Sequence, residues 1–293
     1  MINQKYALNP EVQLEPLELI LILSKFGLSE GRFISRLPDD WRQQLIQEFE
    51  KRNLSTIEMV RIRRHLQSLK ERGGILNIST EYKKELTWLK NAFQAKTNGL
   101  IDDIISDDVN HGLFAKDIID SDSLRACRDT KITWTADEMV KVAMPLLSMS
   151  EEIYIVDRFI KLRSKEPDGY LTFFKKIIEA TQSKKTKLIV YCAQESFNQT
   201  NSEKNLREKI SPLLSCRQSI EFFLLPDDVI PHERFIISIK GGIYFDKGFH
   251  SSIDPSERHL VGYYSKSAHE EQWKEFVENR SNLKIEKHII ISG

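Results

Sequence analysis

The clearest chemical signal in this chain is Pro231-His232-Glu233-Arg234, which leads into a β-branched run. Gly241-Gly242 and then Gly248-Phe249-His250-Ser251-Ser252 follow it. Alternate residues of a strand share a face, so the spacing predicts that His232 and Arg234 point the same way. An imidazole beside a guanidinium makes a phosphate clamp. The imidazole can act as nucleophile or acid, and the planar guanidinium can hold two phosphate oxygens at once. Gly241, Gly242 and Gly248 would let backbone N–H groups approach an anion. Ser251 completes the expected phosphate set, with His250 in a supporting place. A plainer reading pairs His232 and Arg234 with a neighbouring carboxylate such as Asp157 or Asp246.

Asp157 ends the apolar run Ile153-Tyr154-Ile155-Val156, the position where open α/β sheets collect ligand contacts. It is expected either to support His232 or Arg234 or to cap the turn before Arg163. A second basic group, Arg61, Arg63, Arg64, His65, Lys70 and Arg72, is the densest in the chain. Helical spacing puts Arg61, Arg64 and His65 on one face. These residues with Arg72 form a candidate nucleic-acid patch, against the alternative of a solvated helix face. The carboxylates at Asp102, Asp103, Asp107, Asp108, Asp117, Asp120 and Asp122 lack the offsets of a calcium loop, and no metal or cofactor is expected. Ser/His/Asp and Cys/His arrangements, GxSxG, Walker and dinucleotide glycine patterns are absent.

The totals set the frame for these groups. The 293 residues carry 43 basic and 43 acidic side chains, a formal net charge of +0 and 40% hydrophobic content. That balance argues against a chain that binds polyanions with its whole surface and leaves room for a local basic patch. The length suggests two domains. Cys127, Cys192 and Cys216 are widely spaced and form no zinc or disulfide pattern, which fits a reducing compartment and a cytoplasmic location. No stretch reaches the roughly 18 apolar residues of a membrane span.

The elements that must position these side chains divide the chain in two. Residues 1–100 read as helices. Leu17, Ile20, Leu21 and Ser24 follow a 3.6 period, as do Trp41, Leu45 and Phe49. Ser55-x-x-Glu58 is a capping box, with Leu54 and Met59 as a hydrophobic staple ahead of Ile62, Leu66 and Leu69, and Gly73-Gly74 ends that helix. A fourth helix is expected from about Glu81 to Lys96. Residues 101–130 read as an acidic connector. From Trp134 onward strands and helices alternate, so residues 131–293 are expected to form an α/β domain with helices on both faces of its sheet. Thr135-x-x-Glu138 and Ser267-x-x-Glu270 announce helices, Pro145 should bend or shorten the first of them, and Lys240-Gly241-Gly242 suits a tight hairpin.

His232-Glu233-Arg234, Gly241-Gly242 and Lys247-Gly248-Phe249, with the entry Ile153 to Phe159, resemble the phospholipase D superfamily over about residues 130–280. The likeness is greatest to the phospholipase-D-like domain that follows the MIT domain in some ESCRT-associated proteins, and to its bacterial relatives. The resemblance implies a phospholipase-D-like sheet flanked by helices, preceded here by an all-helical N-terminal domain. In that superfamily a His attacks phosphorus, a Lys neutralises the phosphoryl oxygens and an Asp orients a His. In this chain Arg234 stands in place of the Lys, Ile239 stands where the orienting Asp is expected, and a second HxK motif is absent. The expectation is therefore a degenerate site that binds a phosphate backbone, preferably of nucleic acid, within a multi-protein bacterial system such as defence against foreign nucleic acid. Self-association through the C-terminal domain and a protein partner for the helical half are expected with it. Two alternatives stay open. One is a metal-independent phosphodiesterase or nuclease with catalytic His232 and Arg234 brought together across a dimer. The other is a dimerising adaptor for protein or membrane phosphoinositide.

Overall fold

A computed structural model describes residues 2–78, 82–108, 112–120, 124, 128–163, 169–198 and 202–293. Glu81, Asp122 and Cys127 lie outside them. The chain separates into two compact units, Met1–Arg128 and Asp129–Gly293.

The first unit is α/β. Its chain order is β1 (Gln4–Leu8), α1 (Pro16–Ser24), β2 (Arg32–Arg36), α2 (Trp41–Glu50), α3 (Thr56–Glu71), β3 (Ile75–Asn77), α4 (Trp88–Thr97), β4 (Asp103–Ser106), β5 (Leu113–Phe114) and α5 (Ala115–Asp120). The strands form one parallel sheet in the order β3-β2-β1-β4-β5. Alternation along the strands sends side chains to two cores. Tyr6, Leu8, Ile34 and Ile105 pack with α1, α2 and α3, while Ala7 and Ile104 pack with Ala92 and Ala95 of α4.

Both expectations for this half are corrected. Residues 1–100 are not all helical, and residues 101–130 are not a solvated connector. The acidic run contributes β4, whose Ile104 and Ile105 are fully buried. Its carboxylates bond to the unit around them: Asp102 accepts the Lys5 N–H and Asp107 accepts the Gln13 N–H, each at 2.7 Å. The buried face of α1 also differs, being Leu19, Ile22 and Leu23, with Leu17 and Leu21 exposed. The run Leu-Glu-Leu-Ile-Leu-Ile-Leu has too little polar contrast to mark a face. Two other helical readings match: Trp41, Leu45 and Phe49 are buried, Ser55 and Glu58 form the capping box, and Gly73 takes a left-handed φ of 66° at the end of α3. The fourth helix, by contrast, starts only at Trp88, capped by Thr87, and not near Glu81.

The second unit runs β6 (Asp129–Thr133), α6 (Ala136–Met149), β7 (Glu152–Val156), α7 (Gly169–Thr181), β8 (Thr186–Ala193), α8 (Gln194–Asn198), α9 (Ser202–Lys209), β9 (Gln218–Leu225), β10 (Arg234–Ser238), β11 (Gly241–Phe245), β12 (Arg258–Tyr263), α10 (Lys266–Trp273) and β13 (Lys287–Ser292). One mixed sheet takes the order β13-β9-β8-β7-β10-β11-β12-β6. Strands β7, β8 and β9 are parallel, while β10, β11, β12 and β6 are antiparallel neighbours. Helix α6 continues through Pro145 to Met149, and α10 is capped by Ser265, which accepts the Ala268 N–H, in place of the expected Ser267. Among the described residues no helix is long and apolar enough to cross a membrane.

Candidate functional site

The site forms where the sheet changes from parallel to antiparallel. Val156 at the end of β7 pairs with Phe235, so the next step of the antiparallel register sets Asp157 beside Arg234. Arg234 also pairs with Phe245 at the end of β11, which brings the loop from Asp246 to Ser252 to the same place.

Asp157 is fully buried and organises this corner. Its Oδ1 accepts the Phe159 N–H and its Oδ2 the Phe249 N–H, each at 2.9 Å. The Tyr170 hydroxyl donates to the same carboxylate. Burial pushes the Asp157 carboxyl above the ordinary carboxylate range, opposed by these donors and by the positive charge of Arg234. Burial and the Asp157 charge likewise raise the Tyr170 hydroxyl. Gly248 is required between them. A Cβ there would lie 2.8 Å from the Tyr170 hydroxyl and 2.9 Å from Asp157 Oδ2. The Trp134 indole N–H donates to the Gly248 carbonyl at 2.9 Å and fixes the loop from its other side.

Above this floor opens a cleft of about 580 Å³ lined by the cationic side chains of Lys161, Arg163, Arg234 and Lys247, together with Phe159, Tyr170, His250 and the Gly248 to Ile253 loop. Among the described residues no carboxylate lines it. The Arg234 guanidinium carbon sits 5.2 Å from the centroid of the Phe159 ring, a cation–π contact, and its buried Nε has no hydrogen-bond partner among the described residues. Lys247 pairs with Glu257, whose carboxyl is pushed down to about 2 by bonds from Lys247, Ser252 and His259. His250 is half-buried against Tyr170, and burial with the nearby Lys247 charge lowers its imidazole below the usual value of 6.5. The Ser251 hydroxyl accepts the Ala136 N–H at 3.0 Å, so its oxygen is already engaged by the start of α6. A cleft with this lining can hold a multiply charged anion.

The structure therefore brings together Arg234, Asp157, Gly248, His250 and Ser251 of the residues singled out from sequence. His232 sits at the margin of this group, its ring centroid 6.1 Å from that of Phe159. It lies before β10 in a bend, exposed, with its Nε2 3.1 Å from an Arg158 guanidinium nitrogen, and it does not line the cleft. The strand begins only at Arg234, yet both expected partners flank one ring: the His232 imidazole centroid lies 6.1 Å and the Arg234 guanidinium carbon 5.2 Å from the Phe159 centroid. Gly241 and Gly242 occupy the hairpin at the other end of β10. A Cβ on Gly242 would meet Ile237 at 2.7 Å and Tyr264 at 2.8 Å, so that glycine serves packing at a distance from the cleft.

Sequence reasoning missed the row Phe159, Lys161 and Arg163. These residues line the cleft while the intervening Ile160 and Leu162 are fully buried, an alternation visible in Phe-Ile-Lys-Leu-Arg. In the first unit, Arg61 and Arg64 are exposed on α3, and His65 Nδ1 lies 2.9 Å from the Arg61 carbonyl. Arg72 does not join a surface patch. It donates to the carbonyls of Phe26 and Leu23 and to the Ser68 hydroxyl, tying the end of α3 to the end of α1. Among the described residues no group of three or more His, Cys, Asp and Glu side chains is placed to hold a metal.

No family model matches this sequence, and no curated protein matches it. Two solved structures show a distant likeness. One is TrmBL2, an archaeal chromatin protein described with a novel mode of DNA binding, at 9% identity and a TM-score of 0.32, over 84% of this chain and 70% of that one. The other is polyphosphate kinase from Porphyromonas gingivalis, at 8% identity and a TM-score of 0.27, over 94% of this chain and 45% of that one. At these scores neither carries the functional argument, which rests on the cleft.

Proposed function

We propose that the second unit binds the phosphate backbone of a polymer, nucleic acid above all, in a cleft of phospholipase-D-like descent. The observation that carries this reading is the convergence of four cationic side chains, Lys161, Arg163, Arg234 and Lys247, on one cleft, with no carboxylate among the described lining residues. In a protein with balanced overall charge, such a concentration of one sign in a concave site focuses the field on an anion. The order His232-x-Arg234, glycine hairpin and Gly248 supports the kinship with phospholipase-D-like domains. The geometry favours holding over cutting. The imidazole that lines the cleft belongs to His250, while His232 is engaged with Arg158 and flanks the Phe159 ring at the cleft edge.

The test is a binding measurement with cleavage monitored on the same samples. Labelled oligonucleotide should shift on addition of the full chain, remain intact, and shift less with Arg234→Ala. Cleavage that persists in EDTA and is lost in His232→Ala would replace this reading with the phosphodiesterase one.

A further inference from the structure

We infer that the polymer held by the cleft is single-stranded nucleic acid, with a base stacked on Phe159 while the backbone follows Lys161, Arg163 and Arg234. The inference rests on the phosphate-backbone reading above and names its substrate class. Phe159 is 36% exposed at the cleft, with the His232 ring 6.1 Å and the Arg158 and Arg234 guanidinium carbons 5.8 and 5.2 Å from its centroid. The exposure follows from the chain path. From Phe159 to Arg163 the segment alternates, placing Ile160 and Leu162 in the core and Phe159, Lys161 and Arg163 towards the cleft.

The result is an aromatic ring interleaved with cations along one edge of an anion site. The Arg234 guanidinium beside the ring can bind a phosphate and steady the phenyl group at once. That combination of a cationic track and an aromatic platform is the physical recipe for single strands, since every base has a π-face to stack. Other phosphate polymers fit less of it. Inorganic polyphosphate offers nothing to the ring. A duplex keeps its base faces inside the stack, so only its backbone would engage the cleft.

The experiment measures fluorescence anisotropy of labelled oligothymidylate, and of the same strand annealed to its complement, with the full chain. Inorganic polyphosphate serves as competitor. The single strand should bind tighter than the duplex. Phe159→Ala should weaken the single strand roughly tenfold and leave competition by polyphosphate unchanged. Phe159→Leu should behave like Phe159→Ala, Phe159→Trp should retain binding, and Arg234→Ala should weaken both polyanions. Thermal unfolding verifies that each variant is folded. Equal or tighter duplex binding, or oligothymidylate binding indifferent to Phe159→Ala, overturns the inference. Polyphosphate binding that survives alongside that indifference leaves the broader reading standing. Failure of every polyanion to bind overturns both.

Discussion

Asp157 Oδ2 accepts the Phe249 N–H at 2.9 Å, a bond that joins the end of β7 to the loop after β11 across 92 positions of sequence. The same carboxylate accepts the Phe159 N–H and the Tyr170 hydroxyl, so three donors from separate segments converge on one buried group. Removing it leaves those donors without a partner, and each buried unsatisfied group costs about 1–3 kcal/mol. Asp157→Ala should lower unfolding stability by roughly 3 kcal/mol or more in a urea titration and should also abolish polyanion binding by releasing the loop. Tyr170→Phe, which removes one donor and leaves the carboxylate its other partners, should cost about 1 kcal/mol.

Gly248 is held by space. Gly248→Ala would drive a methyl group against the Tyr170 hydroxyl and Asp157 Oδ2, neither of which can retreat from its buried hydrogen bond. Overpacking of this kind costs about 1–3 kcal/mol. Chemical denaturation should register that loss, with weaker polyanion binding alongside it. Ala at Gly99, where a Cβ would meet nothing within 4 Å, should leave binding intact and cost stability only through its left-handed φ of 70°.

Polyanion binding should depend on pH through His250. Its folded value is lowered from 6.5, by burial first and then by Lys247, so in the free protein the imidazole is neutral at neutral pH. A depressed folded value contributes stability above about 6.5 that is lost as pH falls through the folded value. A bound polyanion favours the imidazolium, so affinity should rise as pH drops below neutrality, by at most about tenfold per unit. Tyr170 packs on the imidazole, and the charges of Lys247, Arg234, Glu257 and His259 act on it. Comparison with His250→Gln isolates its part, and that variant should show a flatter profile between pH 7.5 and 5.5 (a window about one unit either side of 6.5). A profile identical to the wild type would remove His250 from the site.

Arg72 should matter to the fold and not to the ligand. Its guanidinium bonds to the carbonyls at the end of α1 and to Ser68. Arg72→Met keeps much of the packing and loses those bonds, so it should destabilise the first unit by about 1–3 kcal/mol with polyanion affinity unchanged. A binding defect without a stability defect would return Arg72 to the basic patch read from sequence.

The second unit was legible because its strands are runs such as Ile153-Tyr154-Ile155-Val156 and Leu188-Ile189-Val190-Tyr191, bounded by turn residues. The first unit hid its sheet. Strands β3 and β5 have three and two residues, too few to show a period, and β4 is flanked by carboxylates that dominate its composition. At the site, Asp157 stood out because it ends an apolar strand, and Arg234 and Gly248 through a motif order. His232 lies two residues before the strand begins, and its ring still reaches the Phe159 side chain that Arg234 also touches. The row Phe159, Lys161 and Arg163 escaped notice because it belongs to no regular element, although its alternation was present in the sequence.

The most direct test of the central claim is the salt dependence of oligonucleotide binding by the wild type and by a Lys161→Ala/Arg234→Ala double variant. Each phosphate contact on a single strand contributes about 0.7 to the slope of log K against log salt. If the cleft holds the backbone, the double variant should bind more weakly with a slope shallower by about 1.4, twice that contribution. An unchanged slope with unchanged affinity would contradict the account and place any polyanion site elsewhere on the chain.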